Sequence, residues 1–301
     1  MEAINVGQLS NHFLKQFNTD LAKEMKGDCV FINCPMQPPL DDEFRVVVEE
    51  IVSLQDSNKR HLIVMLETMG GYMETVERMV SVMRTHYSKV SFVIPNHAYS
   101  AGTVLALSGD NIWMDYYSVL GPIDPQYLDG SGKSLPGTGY LAKYEELVEK
   151  INESKSKNTH RAELAYLISK FDPALLFHIE QGIDNGKTLI KEWLPKYKFR
   201  DWKKTEHKRK IVTSKMRINR AEKIATTLGN AKKWHSYGRG ITMKELRGAE
   251  IKLMIDNFGE NTNLNHLIRN YHGLCADYYG RIPGYIHSKI GIRRVFNEKN
   301  S

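Results

Sequence analysis

Two glycines and one serine in the first third of the chain have the types and the spacing that acyl-transfer chemistry needs. Gly70 and Gly71 follow an apolar run at 61–66, and Ser100 follows another apolar run at 90–94. Paired glycines let the backbone turn sharply and present main-chain N–H groups, and a following helix points its positive end at the same place. Such a junction can hold an oxyanion, although a plain turn has the same pattern.

Ser100 stands among small residues and is followed by a short apolar segment, 103–107, that favours a helix. At the start of a helix a serine can be a nucleophile, because the helix dipole stabilises a developing alkoxide, or it can simply be the N-cap. We expect both junctions at the carboxyl ends of parallel strands, where ligands bind in open α/β sheets. One junction would then supply a nucleophile and the other the donors for a tetrahedral intermediate.

The elements that must position these residues are short apolar runs that alternate with helical patterns. Apolar residues recur at helical spacing within 46–54 and 73–83. Unbroken apolar strands separated by helices indicate a parallel sheet covered on both faces, so the predicted fold class is α/β. The strand-length runs lie at 29–33, 61–66, 90–94 and 112–114.

The remainder of the chain is predicted to be mainly helical. Residues 129–139 are rich in Gly, Ser and Pro and indicate an exposed loop, and 140–194 have a helical pattern. Further helical patterns lie at 216–228, 242–256 and 262–272. The expected division is an α/β core at 1–130, a helical part at 131–256 that completes the same domain, and a C-terminal helical extension at 257–301.

Composition excludes several classes of protein. With 41% hydrophobic residues and 10% aromatic residues, wholesale disorder is excluded. The sequence has no apolar run long enough to predict a transmembrane helix, and its start does not resemble a signal peptide. Cys29, Cys34 and Cys275 form no CxxC pair, which argues against a structural zinc site or a disulfide framework. We therefore expect a cytoplasmic protein with neither metal nor cofactor.

The positive charge is concentrated in one segment. The whole chain has a net charge of +7, whereas residues 187–223 contain 14 Lys and Arg and only four acids. Trp193, Tyr197, Phe199 and Trp202 are interspersed among these cations, a mixture that can suit single-stranded nucleic acid. A charged connector whose aromatic side chains pack inward is the plainer interpretation. No nucleic-acid-binding motif supports the first one, and no P-loop is present.

The sequence resembles the serine dehydrogenase proteinase family of Clp-like serine peptidases, which is related to the Clp protease subunit and to signal-peptide peptidase A. The resemblance runs from ETMGGYMETVERMVSVMR at 67–84 through SAG at 100–102 to GPIDPQ at 121–126, with a second match at 216–247. It implies a Clp/crotonase-like sheet with flanking helices. It also implies that Ser100 is the nucleophile and that the backbone N–H groups of Gly70 and Ala101 form the oxyanion hole, with Gly71 completing the glycine pair.

The general base is the point where the sequence departs from the Clp pattern. Val119 to Gln126, where a Clp-type histidine is expected, contains no histidine. Signal-peptide-peptidase-like relatives use a lysine, since a buried lysine can lose its proton near neutral pH. Lys143 lies about as far along the sequence from Ser100 as the resemblance to these relatives implies for the base. His235 in the second match is the other candidate. Alternatives for the base are Lys133, Lys155 and Lys157, while His97 and Asp124 are expected to stabilise turns.

The predicted activity is thus hydrolysis of peptide bonds by a serine endopeptidase that acts on protein or peptide substrates. The resemblance also implies a homo-oligomer. The alternatives are a catalytically inactive scaffold of the same fold that binds partner proteins, and a nucleic-acid-associated accessory acting through 187–223. An acyl-CoA enzyme of crotonase type is disfavoured, because it would give Ser100 no task.

Overall fold

A computed structural model describes residues 5–54, 61–124, 126–128, 134–153, 166–205, 209–234, 239–280 and 284–296. The strands are β1 Asp28–Asn33, β2 His61–Glu67, β3 Lys89–Val93, β4 His97–Ala98, β5 Asn111–Met114, β6 Val119–Leu120, β7 Gln126–Leu128, β8 Ser134–Pro136, β9 Ile241–Thr242, β10 Asp256–Asn257, β11 Tyr285–Ser288 and β12 Gly291–Arg294. The helices with described bounds are α1 Val6–Glu24, α2 Leu40–Ser53, α3 Met73–His86, α4 Ala101–Leu107, α5 Gly137–Glu153, α6 Pro173–Lys196, α7 Ser214–Leu228, α8 Ala231–Trp234, α9 Met243–Arg247 and α10 Thr262–Tyr278.

A mostly parallel sheet lies at the centre of the described residues. Its strand order is β10-β5-β3-β2-β1-β11-β12, and the first five of these strands run parallel. Strands β11 and β12 add to the β1 edge in antiparallel orientation. The predicted α/β class with a parallel sheet and flanking helices is confirmed.

Helices cover both faces of this sheet because its central strands are apolar on both sides. In β2, Val64 and Leu66 belong to the core that packs under α2, α3, α4, α6 and α7. The alternate residues Ile63 and Met65 belong to the opposite core, under α1 and α10. Successive side chains of a strand point to opposite faces, so an unbroken apolar run is what a doubly covered strand requires.

A small second sheet extends the carboxyl end of the central sheet. Strand β4 pairs in parallel with β6, and β6 pairs antiparallel with β9. Thr68, just beyond β2, forms a bridge to Ala98 in β4. The segment after β3 is thereby held beside the turn that follows β2, and this places the two predicted junctions next to each other.

The structure corrects two sequence-based expectations in the C-terminal third. The predicted helix at 242–256 is only the short α9, because Gly248 leaves the helical conformation and Lys252 has a φ of 50°, so the chain can turn back to pair β10 with β5. The extension at 257–301 is not helical throughout, since β11 and β12 follow α10. Without them, one edge of β1 would have unpaired main-chain groups. The proposed division at residues 130 and 256 stays a prediction.

Candidate active site

The turn after β2 is built around two glycines with positive φ. Gly70 has a φ of 100° and Gly71 a φ of 149°, values that side-chain-bearing residues rarely adopt. A β-carbon on Gly71 would lie 2.2 Å from the carbonyl oxygen of Met36, which runs alongside. Glycine is therefore required here for both conformation and space, and the turn packs directly on the chain that leaves β1.

Ser100 occupies a strained position between β4 and α4. Its φ of 50° and ψ of −117° are unusual for a residue with a side chain, and strain of this kind is often found at functional sites. Ser100 takes the N-cap position of α4, but its side chain makes no capping hydrogen bond. The interpretation of Ser100 as an ordinary N-cap thus loses its physical basis, because the hydroxyl is not used for that purpose.

The structure brings Gly70, Ser100 and Ala101 together. A β-carbon built on Gly70 would lie 2.8 Å from Ser100 Cβ and 3.4 Å from the backbone nitrogen of Ala101. The Gly70 N–H donates to Thr68 Oγ1 at 3.1 Å, so an incoming oxyanion would replace that hydroxyl as its acceptor. Ala101 is the first residue of α4, where main-chain N–H groups lack partners within the helix. Gly71, in contrast, is turned toward Met36.

Glycines, which lack a β-carbon, and a small threonine allow this close approach of three chain segments. A β-carbon on Gly102 would lie 2.2 Å from Thr68 Cγ2, and one on Gly121 would lie 2.3 Å from the Tyr99 ring. The buried Thr103 hydroxyl lies 2.8 Å from the carbonyl oxygen of Ala98 and 2.9 Å from that of Gly121. The small residues around Ser100 in the sequence therefore serve the packing of β4, β6 and α4.

Asp124 connects Ser100 with helix α5. The Ser100 hydroxyl donates to the main-chain carbonyl oxygen of Asp124 at 3.0 Å, and both residues are buried. The Asp124 carboxylate accepts from the Thr138 N–H at 2.8 Å, in the first turn of α5. Burial raises the pKa of Asp124, while the amides of Thr138 and Gly137 act in the opposite direction. Asp124 thus holds a turn, as predicted, and the start of α5 lies close to the serine.

Glu67 is the centre of a hydrogen-bonded cluster that the sequence analysis missed. Its carboxylate accepts from Asn96 Nδ2 at 2.7 Å and from His272 Nε2 at 2.6 Å, and His97 Nδ1 lies 3.5 Å away. Burial would raise the pKa of Glu67, but these hydrogen bonds outweigh it and the pKa lies below its usual value. Burial lowers the pKa of His97. The one local signal was a charged residue at the end of an apolar strand.

Comparison with known proteins identifies the part of the chain that contains this site. Residues 41–152 match the family model of the ClpP-like SDH-type serine proteinases. The resemblance stated from the sequence is confirmed over this segment, which includes Gly70, Ser100 and Lys143. The match covers 112 of the 301 residues and leaves out His235 and His272.

Two proteins of Methanocaldococcus jannaschii are similar to part of the chain. The uncharacterized protein MJ1495 is 32% identical over 88 residues, which cover 29% of this chain and 28% of that protein. The uncharacterized protein MJ0137 is 28% identical over 94 residues, which cover 28% of this chain and 33% of that protein. The aligned part therefore spans about a third of each relative or less.

Some solved structures with partial likeness to this chain are proteases. The 1510-N membrane-bound stomatin-specific protease is 19% identical, with a TM-score of 0.31, over 40% of this chain and 60% of that one. ClpP1 from Listeria monocytogenes is 14% identical, with a TM-score of 0.28, over 33% of this chain and 58% of that one.

Of the candidate bases, Lys143 lies in the described part of the chain, and its ammonium group contacts Glu146 and not Ser100. Lys143 in α5 is 58% exposed, and its ammonium group lies 3.1 Å from Glu146. His235 lies outside the described residues, as do Lys133, Lys155 and Lys157. Among the described residues, the hydrogen bond of the Ser100 hydroxyl therefore goes to a main-chain carbonyl and not to a base.

Metal and thiol chemistry find no support in the described part of the chain. No group of three or more His, Cys, Asp or Glu side chains has metal-binding geometry there, and the contacts of Glu67 are hydrogen bonds. All three cysteines are free and buried, and burial raises the pKa of each thiol. None of them is therefore a thiolate nucleophile at neutral pH.

The basic segment 187–223 packs its aromatic side chains inward where it is described. Trp193 and Phe199 are 5% and 7% exposed, and the Arg84 guanidinium covers the Tyr197 ring at 3.7 Å. Several cations are paired with acids, as Lys191 is with Glu222 and Arg200 with Asp110.

In the described residues, none of the helices has the length and apolar character needed to span a membrane.

Proposed function

We propose that this protein is a serine peptidase in which Ser100 is the nucleophile. The observation that carries the proposal is the strained conformation of Ser100 at the start of α4, directly beside the Gly70 turn. The match of residues 41–152 to the SDH-type serine proteinases supports it. The substrate class is proteins or peptides.

In the proposed reaction the Ser100 oxygen attacks a peptide carbonyl carbon and loses its proton to a general base. The negative charge that develops on the carbonyl oxygen is held by the N–H groups of Gly70 and Ala101. The base then protonates the leaving amine, and water hydrolyses the acyl-enzyme. Each oxyanion donor of this kind contributes about 10²- to 10³-fold to the rate.

The base in this proposal is Lys143, with His235 as the alternative. The contacts of Asp124 support the choice of Lys143. The main-chain carbonyl oxygen of Asp124 accepts a hydrogen bond from the Ser100 hydroxyl, and its carboxylate accepts one from the first turn of α5. Lys143 lies in that same helix. To act, its ammonium group must leave Glu146 and enter a less solvated place, where the neutral amine is favoured. We further propose a homo-oligomer, as the Clp resemblance implies; an ATPase partner would be a separate protein.

The test is covalent labelling with a fluorophosphonate probe, located by mass spectrometry, together with cleavage of fluorescent casein. Wild type should be labelled at Ser100, and Ser100→Ala should lose both labelling and cleavage while its circular dichroism is unchanged. Ser108→Ala is the matched control, since Ser108 is a buried serine whose hydroxyl also donates to a main-chain carbonyl, that of Leu105. Equal cleavage by wild type and Ser100→Ala would refute the assignment.

An inactive scaffold on the same fold is the second candidate. The observation in its favour is that the described residues place no base on the Ser100 hydroxyl, which donates to a carbonyl oxygen instead. A scaffold predicts no reaction with the fluorophosphonate at any pH. Clean formation of a Ser100 adduct excludes it.

A further inference from the structure

The Glu67 cluster is a buried polar group that the proposed reaction does not use. Glu67 is 9% exposed and is the last residue of β2, three residues before Gly70. Its partners Asn96 and His97 come four and three residues before Ser100, and its third partner, His272, comes from α10. One carboxylate thus contacts the segments that lead to both halves of the candidate site.

Main-chain hydrogen bonds join the turn after β2 to the segment before Ser100 over a short stretch. The Thr68 N–H donates to the His97 carbonyl at 3.1 Å, and the Tyr99 N–H donates to the Thr68 carbonyl at 3.0 Å. Glu67 extends this contact to Asn96 with a charged hydrogen bond, which is about twice as strong as a neutral one. Because Ser100 is strained, the surrounding contacts must hold it in place.

Helix α10 contacts the same segment from a second point. The Arg269 guanidinium donates to the carbonyl oxygen of Pro95, next to Asn96, and pairs with Asp115. One turn further along the helix, His272 donates to Glu67. Among the described residues, Tyr285 of β11 also faces Glu67. The segment 95–97 is therefore fixed by a helix that lies outside the family match.

Glu67 does not reach the reacting atoms. Strand alternation places its side chain on the same face as Ile63 and Met65, under α1 and α10. The helix that begins after Ser100 packs on the other face, with Val104 in the opposite core. Glu67 is therefore not the acid of a catalytic triad, and any influence on Ser100 must pass through the turn.

We propose that Glu67 is a positioning residue that fixes the 96–100 turn against the end of β2, and that α10 supports the active site through His272. The proposal rests on the proposed function, because it assigns these residues to the placement of the nucleophile. Loss of the Glu67 carboxylate frees Asn96 and His97, and Ser100 then loses its alignment with the Gly70 amide.

The experiment compares wild type, Glu67→Ala, Glu67→Gln and Asn18→Ala in two measurements: the rate of fluorophosphonate labelling and amide hydrogen exchange in 96–102. Glu67→Ala should lower the labelling rate by about 10²-fold, the size expected when a nucleophile is misplaced, and should speed exchange in the turn. Glu67→Gln keeps an acceptor for Asn96 and should recover most of the rate.

Asn18→Ala is the matched control because it breaks a buried network on the same face without touching the turn. Asn18 donates to the Cys29 carbonyl and to the Tyr271 hydroxyl. This variant should lower Tm yet keep the labelling rate and the slow exchange of 96–102. Equal losses in Asn18→Ala and Glu67→Ala would overturn the proposal, as would an unchanged Glu67→Ala.

Two readouts keep this result separate from that of the proposed function. If wild type fails to react with the probe, the peptidase proposal fails, and exchange in 96–102 alone decides whether Glu67 positions the turn. If Glu67→Ala does not fold, His272→Phe replaces it, since a phenyl ring retains the packing on Phe31 and removes the donor. Slow exchange of 96–102 in that variant would then contradict the proposal.

Discussion

The backbone of Gly70 is packed against Ser100 so closely that no side chain fits between them. A β-carbon on Gly70 would lie 2.8 Å from Ser100 Cβ and 2.8 Å from the carbonyl oxygen of Tyr99. These two residues follow different strands, β2 and β4, and the bridge between Thr68 and Ala98 joins the segments that hold them. The first prediction follows from this contact.

Gly70→Ala should lower the rate of fluorophosphonate labelling by about 10²-fold or more, because the methyl group must push Tyr99 and Ser100 away from the oxyanion donors. The φ of 100° adds strain, so we expect a loss of about 1–3 kcal/mol in the free energy of unfolding. Gly139→Ala is the control, since its β-carbon would have no neighbour within 4 Å in α5. It should be neutral or slightly stabilising. Labelling and thermal unfolding measure both effects, and a fully reactive Gly70→Ala would contradict the oxyanion-hole assignment.

Lys143→Ala and Lys150→Ala form a matched pair for the identity of the base. Both ammonium groups pair with Glu146, and the side chains are 58% and 61% exposed. If Lys143 takes the serine proton, only Lys143→Ala should lower the labelling rate, by about 10²- to 10⁴-fold. The pH dependence of labelling should change in the same variant. If Lys143→Ala is labelled at the full rate and His235→Gln is labelled more slowly, His235 and not Lys143 is the general base.

The basic segment should bind single-stranded DNA only weakly and without base stacking. Trp193 and Phe199 are buried, so cations such as the exposed Lys203 and Lys204 remain as the contact groups. We expect non-specific affinity, with a Kd of about 10⁻⁴ to 10⁻⁶ M that weakens steeply with salt. Fluorescence anisotropy with an oligothymidine measures it, and the double variant Lys203→Glu with Lys204→Glu should abolish it. Tight binding that resists salt would contradict the prediction.

His287 should make stability depend on pH on the acidic side. Its ring is buried beside Tyr271, and burial, aided by Lys15, lowers its pKa to about 4. Below a pH of about 6.5 the unfolded chain binds a proton that the folded protein does not, so stability falls as the pH drops toward 4. The loss is about 3 kcal/mol once the pH reaches the folded pKa.

Urea unfolding between pH 7 and 4.5 tests the role of His287. The decline should be shallower in His287→Gln than in wild type, whereas the exposed His12 can be replaced by glutamine without changing the slope. The slope isolates the titration from any constant loss that the substitution causes. Identical slopes in wild type and His287→Gln would show that other groups are responsible.

The sequence predicts the parallel strands well because their signal is local. In the run 61–66 every position after His61 is apolar, and burial on both faces demands that pattern. The same locality explains why the Gly70 and Ser100 junctions were recognised, since each directly follows such a run. The roles proposed for these residues rest on the family resemblance, because periodicity does not encode them.

Contacts between distant segments could not be predicted in this way. His272 and Glu67 are 205 residues apart, and the sequence around either residue does not indicate the other as its partner. The Ser100 hydroxyl meets a main-chain carbonyl, a partner that residue types do not reveal. Strand β11, Tyr285–Ser288, is short and contains a histidine and a serine, so its burial depends on β1 and not on its own composition.

The pairing of β11 with β1 also bears on the order in which the molecule is completed. Val30 to Asn33 leave the ribosome more than 250 residues before their antiparallel neighbours, Tyr285 to Ser288. The nascent polypeptide therefore carries its serine long before the last strands of its sheet exist. A product arrested before residue 285 would lack the strand that pairs with this edge of β1.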